Sequence, residues 1–454
     1  MAVDKWTGLD IRTQEEIEKL IQKHDIEMIR VEFVDILGIT RGKIMPATML
    51  DELFDSGSAC ASAIFLMCFD NNVVAEESLS EVADDLKVVV DPSTFMVLPY
   101  LEKTAVIQGD VYYHDKPMAH SPRAFLKRIV DEYHELGLDP IAASELEFFL
   151  FNKGEDGQLK PYTNQPCNCY TSNCRTDPQG FLTKLTQTFN KLHFNVLYMN
   201  HEYYPGQFEY NWKHAKVVRC ADESAQFKSI TKDIAELNNM FVTFMAKPKP
   251  AEGGSGCHFH ISFNDLKTGE NLFYDPNGKD EMADIMRWFI GGLCKHAVGM
   301  TAFLAPTVNC YKRYQPDSYA PIYVGWGYDN RTSYIRVPHE RGKATRVEVR
   351  AASAASNPYL ALGAILAAGL DGIKNQIDPP EVVTTDLYHD KERQNQMVPR
   401  SLFRALELLK KDDWLCEYIG EELLNTFVVL KTNEVDQFAK YITDWEWDTY
   451  SYHV

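Results

Sequence analysis

The stretch ASELEFFLF, residues 143–151, decides how the rest of the chain is read. Side chains two apart on a strand share a face. Glu145 and Glu147 therefore point one way, and Leu146, Phe148 and Leu150 the other. Three more stretches obey the same rule. In GQFEYNW, residues 206–212, Gln207, Glu209 and Asn211 share a face. In CHFHISF, residues 257–263, His258, His260 and Ser262 do so, with Phe259 and Ile261 opposite. In TRVEVRA, residues 345–351, Arg346, Glu348 and Arg350 do so, with Val347 and Val349 opposite. Glu202 lies seven residues before Glu209, and a turn at Pro205-Gly206 returns it to the same place. Solvated strand faces ordinarily mix in Lys, Thr and Ser; these carry Glu, His and Arg, with no Lys.

Convergence of Glu145, Glu147, Glu202, Glu209 and Glu348 would gather five negative charges. Such a cluster protonates or binds cations. Carboxylate oxygens with an occasional imidazole suit Mg²⁺ or Mn²⁺, not a thiolate-loving metal. Arg313, Arg331, Arg336, Arg346 and Arg350 fall within 38 residues. Guanidinium groups beside metal ions form a clamp for a transferring phosphoryl group and hold carboxylates in bidentate fashion. Arg331 and Arg336 differ in strand parity, which predicts a turn or bulge between them.

The rest of the chain bounds this reading. Its 454 residues suffice for one large core and a smaller domain. The apolar fraction of 45% and charged fraction of 24% are those of a globular protein. A net charge of −19 argues against a nucleic-acid partner. Met1–Leu20 has no apolar run of the signal-peptide kind. The longest apolar stretch, Pro358–Leu370, is 13 residues and too short to span a membrane. Ten irregularly spaced cysteines fit a reduced cytoplasm. Cys167, Cys169 and Cys174 cluster in one loop without a fourth ligand nearby, so free thiols are expected there.

The pattern Thr13 to His24 predicts an amphipathic helix with a capping box. Ile29 to Pro46 reads as a β-hairpin around Leu37-Gly38, and Lys87–Val90 and Thr104–Asp110 as strands. This N-terminal module is expected to end at the Asp115-Lys116-Pro117 breaker. A helix at Pro122–Leu136 opens the larger module, whose mixed strand and helix order favours α+β. Neither Gly-x-Gly-x-x-Gly nor a P-loop is present, so ATP would bind without a dedicated nucleotide fold.

Taken together, SELEFFLF, HEYYPGQFE, GGSGCHFHISF, VNCYKRYQP, YDNRTSYIRVP and RVEVRAASAASNPYLALGAILAAGLDGI resemble the type I glutamine synthetase superfamily, in that family's order and over nearly the whole chain. The resemblance implies a small β-grasp-like N-terminal domain, residues 13–112, and a catalytic domain with a curved antiparallel sheet, residues 117–454. It implies that Glu147, Glu202 and Glu209 hold one metal, and that Glu145, His258 and Glu348 hold the metal on the ATP phosphates. Mg²⁺ or Mn²⁺, two to three per site, is expected. His260 and Ser262 would lie along the nucleotide. Arg331, Arg336 and Arg346 would contact phosphates or the transferring phosphoryl group, while Arg313 and Arg350 grip glutamate and Gly254 lies beside its amino group. Homo-oligomers of stacked rings, commonly dodecamers with sites between neighbouring subunits, are the family's assembly.

Two departures bear on the acceptor. Ammonia users carry an aspartate in a DGSS motif; here the stretch reads SACASAIFLM, with Ala61 the nearest match. They carry a flap glutamate before Ala-Pro; here Tyr319 stands in SYAP. Gly253 also replaces their Asn. With both acids gone, the expected acceptor is a primary amine or polyamine such as putrescine, taken up by an apolar pocket near Cys60, Phe65 and Tyr319. GWGYDNRT, residues 325–332, likewise resembles γ-glutamylputrescine synthetase and related γ-glutamylamide ligases. An ammonia-using glutamine synthetase and a non-catalytic structural or sensing relative are the alternatives.

Overall fold

The computed structural model describes residues 2–74, 79, 84–164, 168–394 and 396–454. Cys167 lies outside them; Cys169 and Cys174 are free thiols.

The first helix, Gln14–Lys23, closes with the expected capping box: the Thr13 side chain accepts from the Glu16 backbone, and the Glu16 carboxylate accepts from the Thr13 N–H. Its apolar face buries Ile17 completely. The hairpin follows as Met28–Val34 and Thr40–Pro46, paired antiparallel from Met28↔Pro46 to Val34↔Thr40. These strands belong to a seven-stranded mixed sheet in which Met28–Val34 runs parallel to Thr104–Tyr113. The Asp115-Lys116-Pro117 stretch is not a break in that sheet. His114 and Asp115 adopt positive φ, and Lys116–Pro117 turns back to pair with Tyr112 and Tyr113.

A ten-stranded, almost wholly antiparallel, curved sheet carries the larger part of the chain. Its spine is the 16-residue strand Leu138–Lys153. It takes five partners in turn: Ala215–Lys216, Gln207–Trp212, Cys257–Asp265, Met240–Thr243 and Leu159–Pro161. Leu146, Phe148 and Leu150 are fully buried, and Phe148 packs with Phe208, Tyr210, Phe227 and Phe244. Each such side chain contributes about 1.5–3 kcal/mol by burial. That anchorage forces the opposite parity, Glu145 and Glu147, onto the other face.

Helices Pro122–Glu135, Val217–Leu237, Asp284–Leu304 and Pro358–Lys374 complete the core. The last holds the apolar stretch noted in the sequence, with Pro358–Gly372 buried. A Cβ on Gly372 would stand 2.0 Å from the Trp288 carbonyl, so only glycine permits this crossing with Asp284–Leu304. No helix among the described residues is long and apolar enough to cross a membrane.

Two polar devices join the sheets. Asn357, the N-cap of Pro358–Lys374, donates to the carbonyls of Asp35 and Ile36 in the N-terminal hairpin turn. Arg123, on the helix that follows the first sheet, is buried among Asp91, Asp110 and Asp222, donating at 2.8–2.9 Å to all three. These carboxylates hold its guanidinium well above its ordinary pKa despite burial.

Candidate active site

Strand register aligns the reactive residues into three rungs on one face. Asn200 pairs with Glu209 and Glu209 with Glu147. Tyr198 pairs with Asn211, Asn211 with Glu145 and Glu145 with His258. His260 pairs with Glu348 and Glu348 with Arg336. Residues from six segments thus meet because every pair of neighbours is registered by backbone hydrogen bonds.

Within this patch the histidines have different jobs. His258 Nδ1 lies 3.3 Å from Glu145 Oε2 and 3.5 Å from Glu348 Oε1. Nδ1 thus faces both carboxylates, and Nε2 is buried with no hydrogen-bond partner. A ligating histidine is normally oriented in this way by a carboxylate on its other nitrogen. His260 is turned the other way. Arg346 Nε donates to its Nδ1 at 3.2 Å, so Nε2 carries the proton toward Glu145 Oε1 at 2.7 Å. Two trios offer ligand atoms all within 4.8 Å of one another: Glu145, Glu209 and His258, and Glu145, His260 and Glu348. The sequence reading placed His260 on the nucleotide only; the geometry also brings it beside two carboxylates.

The carboxylates divide by environment. Glu145 is buried, but attraction to His260 and hydrogen bonds from His258 and His260 outweigh desolvation and hold it well below its ordinary pKa. Desolvation of Glu348 is likewise overcome, by Arg350 first and then His260 and His258, bringing it down to about 2. Glu202 and Glu209 lack such partners. Burial and then the Glu147 charge push Glu202 up to about 7. Burial, then Glu145, Glu147 and Glu202, push Glu209 well above the carboxylate range. Asn200 Nδ2 donates to Glu202 and Asn211 Nδ2 to Glu209, both at 2.7 Å, and Gln207 Nε2 donates to Glu147 at 3.0 Å. These amides orient the oxygens without neutralising them. Excess like charge beside an orphaned imidazole nitrogen fits divalent cations held by oxygen and nitrogen.

The glycine run beside the cluster exposes bare backbone. A Cβ on Gly256 would stand 2.7 Å from Arg313 Nη2, 2.9 Å from His258 Nε2 and 3.0 Å from Glu147 Oε1. A Cβ on Gly254 would meet Arg313 Cγ at 2.8 Å, and one on Gly253 would meet the Tyr204 ring at 2.5 Å. Arg313 therefore lies beside His258 and Glu147 with Gly254 against its side chain, and Tyr204 fills the space that a side chain at position 253 would need.

The remaining arginines differ. Arg336 donates to Glu348 at 2.7 Å and Asp329 at 2.8 Å. Arg350 is buried, with Nη1 on Glu348, Nε on the Arg331 carbonyl at 3.2 Å and Nη2 on the Tyr319 carbonyl at 3.4 Å. Arg331 lies in the turn before Ile335–Val337, its side chain exposed. Ser262 is half-buried on the same strand face, opposite Ile141 and away from the trios.

The expected acceptor pocket needs correction. Phe65 is 1% exposed and stacks on Phe33 at 5.9 Å inside the N-terminal core. The short helical turn Ser62–Leu66 directs it inward, into the core and away from solvent. Ala61 ends an edge strand, Ser58–Ala61, and is exposed. Tyr319 is half-exposed and pairs with Tyr203, ring centroids 6.2 Å apart. Tyr203 and Tyr204 were missed by strand-parity reasoning because they sit in the turn between strands.

Residues 119–450 match the family model described as glutamine synthetase, catalytic domain. A Methanosarcina mazei protein named glutamine synthetase is 33% identical over 447 residues, covering 96% of this chain and 97% of its own length. One from Thermotoga maritima is 34% identical over 451 residues, covering 97% and 100%. Among solved structures, ligand-free GmaS superposes with a TM-score of 0.86 and GmaS with ADP with 0.87. Each is 30% identical and covers 95% of this chain and 98% of its own. With that likeness running end to end over the registered glutamate, histidine and arginine rungs, the chain belongs to the glutamine synthetase family and is an ATP-dependent γ-glutamyl ligase.

Proposed function

We propose that the chain joins the γ-carboxylate of glutamate to a primary amine or polyamine larger than ammonia, putrescine being one such acceptor. The observation that carries this reading is a contrast: a crowded carboxylate–histidine–arginine cluster in the structure, but no acid in the sequence at Ala61 or Tyr319.

On this reading Glu147, Glu202 and Glu209 hold one divalent cation and Glu145, His258 and Glu348 another, Mg²⁺ or Mn²⁺, two to three per site. Bound there, the cations would neutralise the carboxylates and the phosphates of ATP. Arg331, Arg336 and Arg346 face the phosphoryl group as it moves, and His260 and Ser262 border the nucleotide. Arg313 and Gly254 receive the glutamate carboxylate and amino group. Arg350 joins them by exchanging its long contact with the Tyr319 carbonyl for substrate. The γ-carboxylate oxygen attacks the γ-phosphorus of ATP, the bond to ADP breaks, and γ-glutamyl phosphate forms. The deprotonated amine then attacks the acyl carbon, the carbon–oxygen bond to phosphate breaks, and a proton leaves the nitrogen as the amide forms. Glu209 belongs at this step because its carboxylate, proposed for one cation, also comes within 4.8 Å of the Glu145 and His258 ligand atoms proposed for the other.

The same resemblance supports domains at 13–112 and 117–454, a cytoplasmic location and a dodecamer of two stacked rings. Phosphate release with glutamate, ATP, Mg²⁺ and a panel of amines tests the acceptor. Activity much the highest with ammonium overturns this reading in favour of ordinary glutamine synthetase, the name carried by the sequence relatives.

A further inference from the structure

Four large tyrosines are left in solvent at one edge of the cluster. Tyr170, Tyr198, Tyr203 and Tyr319 are 70%, 51%, 58% and 51% exposed. They come from three stretches of chain, Tyr198 and Tyr203 belonging to one strand and the turn after it, yet they gather at the same end of the site. Tyr203 directly follows Glu202, and Tyr170 and Tyr198 lie in the electrostatic reach of Glu209 and Arg331. Arg336, Arg346 and Arg350 gather at Glu348, and Arg350 also reaches the Tyr319 carbonyl at 3.4 Å. Aromatic faces thus stand beside the Glu202 carboxylate, with the arginines running from Glu348 up to Tyr319.

Tyr319 is held where it stands at a cost. Its φ is +56°, a left-handed conformation that a bulky side chain rarely adopts. Arg350 donates to its carbonyl, Ala320 donates to Ser318 Oγ, and Tyr388 Oη donates to the Ala320 carbonyl. The result is a ring lying 6.2 Å from that of Tyr203, the planes inclined by 31°. Aromatic faces attract alkylammonium groups by their quadrupole and bury methylene groups by the hydrophobic effect. Ammonium itself has no carbon body to bury.

We propose that Tyr203 and Tyr319 clamp the carbon body of the acceptor amine next to its reacting nitrogen, and so select alkylamines over ammonium. This deepens the acceptor reading above and rests on it. The clamp sits on the Glu202 side of the cluster, and leaves the Glu348 side to the phosphoryl group. Tyr170 and Tyr198 extend the aromatic surface for a longer chain.

Steady-state phosphate release by the full-length enzyme, with ammonium, methylamine, n-butylamine and putrescine varied at saturating glutamate and ATP, tests the clamp. Tyr203→Ala and Tyr319→Ala should raise KM for n-butylamine at least tenfold, and leave KM for glutamate and ATP within twofold. Tyr203→Phe and Tyr319→Phe keep the ring and should stay near wild type, which separates lost aromatic contact from misfolding. Alanine variants whose n-butylamine KM moves less than twofold overturn the clamp, as does an equal rise in glutamate KM. If wild type prefers alkylamines and the variants do not respond, only the clamp fails. If wild type prefers ammonium, the acceptor reading fails with it.

Discussion

Two buried charge clusters lie in this chain, and they are built to opposite ends. Around Arg123, three carboxylates face one guanidinium and the Lys127 ammonium, and every charged group has a partner at 2.6–2.9 Å. Around His258, five carboxylates face Arg336 and Arg350, both of which serve Glu348. In the first cluster Asp91 and Asp110 are held below their ordinary pKa even though burial opposes it. In the second, Glu202 and Glu209 are pushed up by burial and by their neighbours' charge. A cluster complete in itself is a structural joint; one left short of positive charge is a place for something to bind.

The comparison can be broken in several ways. Arg123→Ala should cost about 3–5 kcal/mol in chemical denaturation, because it leaves buried carboxylates unpaired. Added Mg²⁺ should not rescue it. Arg336→Ala, at the other cluster, should lower kcat by about 10²–10³-fold, and cost clearly less stability than Arg123→Ala because Arg350 still pairs with Glu348. Equal stability losses for the two arginines would erase the distinction. Mg²⁺ should stabilise the wild-type protein by about 2.7 kcal/mol at a hundredfold excess over its Kd, read as a shift in the unfolding transition. A transition that ignores Mg²⁺ would show that the second cluster does not hold metal in the folded state.

Isosteric amides should act with opposite signs. Asp110→Asn weakens the charge-assisted bonds from Arg123 and Lys127 that hold its carboxylate below the ordinary range, and should destabilise by about 2 kcal/mol. Glu202→Gln removes a repelled charge, and should stabilise the metal-free protein at neutral pH by about 1–2 kcal/mol while reducing turnover. The smallest effect is the pH dependence in EDTA. The folded protein holds the Glu202 proton more tightly than the unfolded chain. Its contribution is therefore fully present below the ordinary pKa of 4.5, and is lost as pH rises through about 7. Melting temperature should fall over that window for wild type, and fall less for Glu202→Gln.

Much of the site was legible beforehand because strand periodicity is a local property. Glu145 and Glu147 share a face whatever surrounds them, and Phe148 buried opposite fixes which face that is. The capping box at Thr13 and the hairpin at Leu37-Gly38 were readable for the same reason. Phe65 was misread because side-chain direction in a short helical turn depends on what it packs against. Lys116–Pro117 was read as a boundary because a turn looks the same whether the chain leaves the sheet or returns to it.

The sequence by itself determined the chemistry: five glutamates, two histidines and five arginines, most of them on alternating strand positions, in the order of a known family, with no acid at Ala61 or Tyr319. Only the tertiary structure decided how those groups divide. It set which histidine has a free nitrogen, which carboxylates lack a cation, that Tyr204 occupies the space over Gly253, and that Tyr203 and Tyr319 meet. Identity travels with the chain, but protonation, ligand availability and specificity depend on distances between residues far apart along it, and those exist only once the strands are in register.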